Sequence, residues 1–138
     1  MASLKFVPRL NIYKSSNVTF DHVKYIAKSY GWWTFVAVID GQVVFNSFPY
    51  SVTTRRHQYH VRALLSELGI KIDLEVSTKL SLDYPAALTD AVVNAVDVAT
   101  KSQEMAMKAR ANKATHLERA ASALRSISAI EKLIGRAS

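Results

Sequence analysis

Asp40-Gly41 stands between two runs rich in β-branched and aromatic residues, 32–39 before it and 43–48 after it. An Asp-Gly pair readily takes the left-handed backbone angles of a two-residue hairpin turn. The two runs are therefore expected to pair as antiparallel strands, and the rest of the fold must be built around that ribbon. The first run lacks polar alternation, so its strand is expected to lie centrally or to be covered on both faces.

Leu4, Phe6, Pro8, Leu10 and Ile12 alternate with Lys5, Val7, Arg9, Asn11 and Tyr13. That is the period of a strand with one buried face. Pro8 has no amide donor, so this strand is expected at an edge or with a break. Ser15-Ser16-Asn17 reads as a loop. Between Thr19 as a cap and Gly31 as a stop, Phe20, Val23, Ile26, Ala27 and Tyr30 share one helical face. The segment is read as a helix, with a strand beginning near Val23 as the alternative. Pro49 ends the return strand, Thr54 is the expected cap of a helix, and Gly69 closes it. Ile70, Ile72, Leu74 and Val76 then alternate with Lys71, Asp73, Glu75 and Ser77 as a further strand.

From Asp83 the texture turns to Ala, Val, Leu and Met, with no glycine before Gly135. Asp83 and Pro85 start a helix expected to end near Asn112. Thr115 and Glu118 have capping-box spacing, so a second helix is expected from there to Gly135. One long helix bent near Asn112 is the alternative. The order β-α-β-β-α-β predicts an α+β protein with a ferredoxin-like antiparallel sheet over residues 1–80. Residues 83–135 are expected to form an α-helical hairpin extension that packs on the sheet or mediates association. If residues 20–30 are instead a strand, a β-meander followed by a helix results. That β-β-β-α order, with Trp33 and Phe35 leading into Asp40-Gly41 and then the helix over 54–68, resembles the AP2/integrase type of DNA-binding domain. The resemblance covers roughly residues 22–69 and implies DNA binding.

The chain of 138 residues carries a net charge of +7. That excess favours nucleic acid, RNA or DNA, or an acidic protein. Residues 1–62 hold eight Lys/Arg against two acids, 63–100 two against six, and 101–138 eight against three. Two basic regions thus flank an acidic one. No apolar run is long enough to span a bilayer, so no membrane partner is expected. The N-terminus lacks the apolar core of a signal peptide, and a cytoplasmic protein is the expectation. The absence of cysteine excludes disulfides, thiolate zinc sites and cysteine nucleophiles. No P-loop, dinucleotide loop or serine-nucleophile motif occurs, so no cofactor is expected and no catalytic residue is assigned.

The densest chemistry lies in Thr53-Thr54-Arg55-Arg56-His57-Gln58-Tyr59-His60-Val61-Arg62. Val61, Leu64, Leu65 and Leu68 form one apolar stripe, and Arg55, Gln58, Tyr59, Arg62 and Ser66 are read onto the opposite side. Arg55, Arg56, Gln58, Tyr59 and Arg62 are therefore the candidate nucleic-acid contacts, able to hold phosphate and to stack on a base. Lys5 and Arg9, read with Tyr13 onto one strand face, and the basic cluster at 108–113 are auxiliary candidates. Phe45 and Phe48 on the return strand are suggestive but expected in the core. His57 and His60 have the spacing of two metal ligands on one helical turn, yet no third ligand is near in sequence and no metal is assigned. Leu117, Leu124, Ile127, Ile130 and Ile134 are the candidate partner interface, with Met105 and Met107 beside them, and a homo-oligomer is its simplest use. A compact basic chain of this kind also fits a phage or mobile-element regulator that blocks a host complex.

Overall fold

The computed structural model describes residues 4–109 and 111–137. Six strands run as an antiparallel meander: β1 (Lys5–Val7), β2 (Ile12–Ser15), β3 (Val18–Asp21), β4 (Ile26–Ser29), β5 (Trp33–Ile39) and β6 (Gln42–Asn46). Helix α1 (Val52–Glu67) crosses over to β7 (Leu74–Val76), which pairs parallel to β6. An antiparallel helical hairpin, α2 (Ala87–Lys108) and α3 (Lys113–Ala137), completes the chain. The expected α+β class and helical hairpin are present. The ferredoxin-like order is not, because the sheet follows the chain, β1 to β7, without interleaving.

Two local structures account for that correction. The expected single strand over 4–13 breaks at Pro8: Leu10 and Asn11 donate to the Val7 carbonyl, and Asn11 turns left-handed at φ 55°. The segment read as a helix over 20–30 folds instead into β3 and β4. Asp21 bends the chain there, its Oδ1 accepting from the amides of Val23 at 2.9 Å and Lys24 at 3.0 Å. Such Asx turns compete directly with helix formation. The Asp40-Gly41 hairpin is as expected, with φ of 49° and 75°, and it joins Ile39 to Gln42.

Helix α1 begins one turn earlier than Thr54, at Ser51, whose Oγ accepts from the Thr54 amide at 3.1 Å. It ends as expected at Gly69, with Ile70 N–H bonded to Leu65 C=O and Gly69 N–H to Ser66 C=O. These paired bonds satisfy the last carbonyls and need the left-handed φ of 72° that glycine adopts freely. Val61, Leu64 and Leu65 pack on one sheet face, over Val18, Phe20, Ala27, Phe35 and Phe45. A bulge between β4 and β5 pairs Ala27 with Val36 and Lys28 with Thr34. Phe35 is the extra residue, so Trp33, Phe35 and Val36 all join the core beneath α1.

The helical hairpin covers the other face, but only behind β5–β7. Ala87, Ala91, Ile130 and Leu133 pack there on Val44, Leu74 and Val76, with Ala37 and Ile39 at the margin. Asn112, at φ 63°, breaks the chain between the helices, so the single bent helix does not form. Beyond the sheet, Ala99, Ser102 and Ala106 bury against a helix that offers Ala120 and Ala123. Such small residues let the two helix backbones approach closely.

Candidate nucleic-acid interface

Helix α1 turns Thr54, His57, Gln58, Val61, Leu64 and Leu65 inward. Gln58, read from the sequence onto the outer face, is therefore a correction. It is buried, and its Nε2 donates to the carbonyls of Asn46 and Phe48, both at 2.9 Å. It ties the helix to the end of β6, because two carbonyls leaving a strand end need a donor. Arg62 stays on the surface but is engaged. Its Nη2 lies 2.7 Å from Glu75 Oε1, and its guanidinium sits 4.3 Å from the Phe45 ring centre. Arg55, Arg56 and Tyr59 remain exposed, and neither arginine has an ion pair among the described residues. The first turn of α1 holds no acid. Two guanidinium groups beside a helix N-terminus oppose the helix dipole, which favours an anion there.

Rings that the sequence reading did not select gather around the same helix end. Tyr30, in the β4–β5 turn, lies 5.5 Å from the His57 ring, and Tyr50 precedes the Ser51 cap. Trp32 meets Tyr50 edge-on at 6.1 Å. Tyr30, Trp32 and Tyr50 are each about half exposed, at 50%, 48% and 50%. The one signal in the sequence was the pair Trp32-Trp33, which bears on Trp32 alone: Trp32 lies in the turn just before β5 and Trp33 begins the strand. Trp33 is the inner one, donating from Nε1 to the Lys79 carbonyl at 3.0 Å.

His57 is buried, with Nδ1 2.7 Å from Ser29 Oγ. Burial lowers its pKa below the ordinary 6.5, and the charges of His60 and Arg56 push the same way. The folded ring therefore binds its proton less readily than the unfolded chain. Its contribution to stability is full above pH 6.5 and is lost as pH falls through the lower folded value. Urea midpoints measured on either side of that window should fall with acid in the wild type. The fall should be smaller in His57→Gln, and an equal fall in both would refute the assignment. Among the described residues no group of three His, Asp or Glu side chains is placed to hold a metal ion.

Lys5 and Tyr13, read onto one face, are separated. Tyr13 pairs with Phe6 on the side of α1, whereas Lys5 pairs with Lys14 on the other. Arg9 sits exposed in the turn at the end of β1. Phe45 is core, as expected. Of the basic cluster at 108–113, Arg110 lies outside the described residues. Among the candidate partner residues, Ile130 is buried in the second core and Ile134 packs against it, Ile127 is half-buried, and Leu117 and Leu124 are exposed.

Compared with family models, curated proteins and solved structures, the chain matches none. The site must be read from its own geometry. Among the described residues no helix is long and apolar enough to cross a membrane.

Proposed function

We propose that the protein binds nucleic acid without catalysing a reaction, through the outward face of α1 and the rings beside it. The observation that carries this reading is the uncompensated positive end of α1: Arg55 and Arg56 with no acid in the first turn, flanked by half-exposed Tyr30, Trp32 and Tyr50. Cations hold phosphates, and exposed rings stack on unpaired bases. The helical hairpin folds onto the opposite sheet face, which leaves this surface open.

Fluorescence anisotropy with single-stranded RNA, single-stranded DNA and duplex DNA over a salt series tests it. Binding should be salt-sensitive and strongest for a single strand. Arg55→Ala/Arg56→Ala should weaken it about tenfold and flatten the log–log salt slope by about 1.5. Arg62→Ala should change affinity much less, since that guanidinium is committed to Glu75 and Phe45. Wild-type affinity in the Arg55/Arg56 variant rules the surface out.

A second reading rests on Val96, Met107, Leu117 and Leu124, which the helical hairpin leaves exposed. They suit a small interaction protein that docks on a partner or on its own copy. Absence of nucleic-acid binding at low salt, with concentration-dependent sedimentation lost in Leu117→Ser/Leu124→Ser, favours it.

A further inference from the structure

The side chains of Lys5, Lys14, Thr19, Lys28 and Thr34 form one row across five strands. The register pairs Lys5 with Lys14, Lys14 with Thr19, Thr19 with Lys28, and Lys28 with Thr34. The next row, Phe6, Tyr13, Phe20, Ala27 and Val36, points the other way, toward α1. The lysine row therefore lies on the back of the sheet. The second core, where the helical hairpin packs, takes no residue from β1–β4, so this part of the back is open. Strands sit about 4.8 Å apart, which places Lys5 about 5 Å from Lys14 and Lys28 about 10 Å beyond.

Like charges directly opposite one another on a sheet are destabilising. Lys5 and Lys14 are such a pair, and among the described residues none of the three lysines has an ion pair. Asp21 is the acid on this face, and its carboxylate is held by the amides of its own turn. Arg9 and Lys24 extend the positive charge into the two turns at one end of these strands. The remaining residues of the face, Val7, Ile12 and Ile26, are aliphatic and half-buried; Ile12 and Ile26 line a shallow hollow of about 270 Å³ with Thr19, Asp21, Lys24 and Lys28. No ring is offered for stacking. A flat cationic row without aromatics suits the regular phosphates of a duplex backbone, not splayed bases.

We infer that the back of β1–β4 is a second nucleic-acid surface that grips duplex backbone, so that one molecule holds an unpaired strand at α1 and a duplex behind the sheet. The inference rests on the reading of α1 given above. Single-stranded DNA fixed on beads, incubated with the protein, should capture a fluorescent duplex. Lys14→Glu/Lys28→Glu should cut that capture about tenfold or more while leaving single-strand anisotropy near wild type. Arg55→Ala/Arg56→Ala should reduce capture in step with its weaker hold on the bead strand, about tenfold. Lys14→Gln gives a further readout: relief of the like-charge pair should raise the urea midpoint while capture falls. A loss through misfolding would lower both.

Wild-type capture by Lys14→Glu/Lys28→Glu overturns the inference. So does a protein that binds the single strand but captures no duplex. A wild-type protein that binds neither nucleic acid fails earlier, in anisotropy, and defeats the reading of α1 itself.

Discussion

Asn46→Leu should destabilise the protein by about 4 kcal/mol, a large share of the roughly 5–15 kcal/mol that holds a domain together. Asn46 is fully buried at the end of β6. Its Nδ2 donates to the Thr78 carbonyl at 2.8 Å, and its Oδ1 accepts from the amides of Phe48 and Thr78, both at 3.1 Å. Leucine fills nearly the same volume but satisfies none of these groups, and each buried orphan costs about 1–3 kcal/mol. Alanine leaves space for a water to bridge some of them and should cost less. Urea unfolding followed by circular dichroism gives the difference directly. A leucine variant within about 1 kcal/mol of wild type would show that these bonds are replaced by solvent.

The loop after β7 that holds Thr78 also touches the turn that presents Trp32, which links this stability to binding. Ser81 Oγ accepts from the Thr34 amide at 2.7 Å and lies 3.2 Å from the Trp32 carbonyl, with the Asp83 carboxylate as its nearer acceptor. Thr78 Oγ1 donates to Asp90 Oδ2 at 2.5 Å, which fixes the start of α2 to the loop. Asn46, through Thr78, therefore supports both the helical hairpin and the strand end that presents Trp32. Gln58 does the same from the other side, binding the Asn46 carbonyl. The two amide side chains lock the crossover, and neither is available to a ligand.

The parts of this fold that were legible in the sequence are those set by local chemistry. Asp40-Gly41 dictated a hairpin, Gly69 a helix stop, and the alanine-rich segment after Asp83 a pair of helices. The error over 20–30 came from an ambiguous period. Phe20, Val23, Ile26 and Ala27 fit a helical face, but Val18 and Phe20 also alternate inward on β3 as Ala27 and Ser29 do on β4. The turn chemistry of Asp21 decided between them. Lys14 and Lys28 were not visible as members of one row because strand register brings them there, on either side of Thr19, and hydrophobic periodicity does not encode register. Gln58 lies at the edge of the helical stripe, where one short turn of the wheel separates solvent from core. Its choice of the inner side followed from carbonyls contributed by a different strand end.

Leu133→Ala should cost about 3 kcal/mol, whereas Leu117→Ala and Leu124→Ala should each stay within about 0.5 kcal/mol. Leu133 is fully buried and Ile130 nearly so, and both pack with Val44, Leu74 and Val76 beneath α3. Leu117 and Leu124 are about half exposed, at 49% and 50%. Truncation at a buried position loses transfer energy and leaves a cavity; at an exposed one, solvent fills the space. The same contrast predicts that a chain ending at residue 82 does not hold this sheet. Val44, Leu74 and Val76, each less than a tenth exposed, would face water together along its last two strands. That chain should bind a hydrophobic dye and unfold without a cooperative transition. Cooperative unfolding at a midpoint near that of the full chain would establish the β-α part as an independent domain and make the helical hairpin an appendage. Loss of cooperativity, together with a large effect of Leu133→Ala, would place the proximal half of the hairpin in the core and leave only its distal end, around Leu117 and Leu124, free to meet a partner.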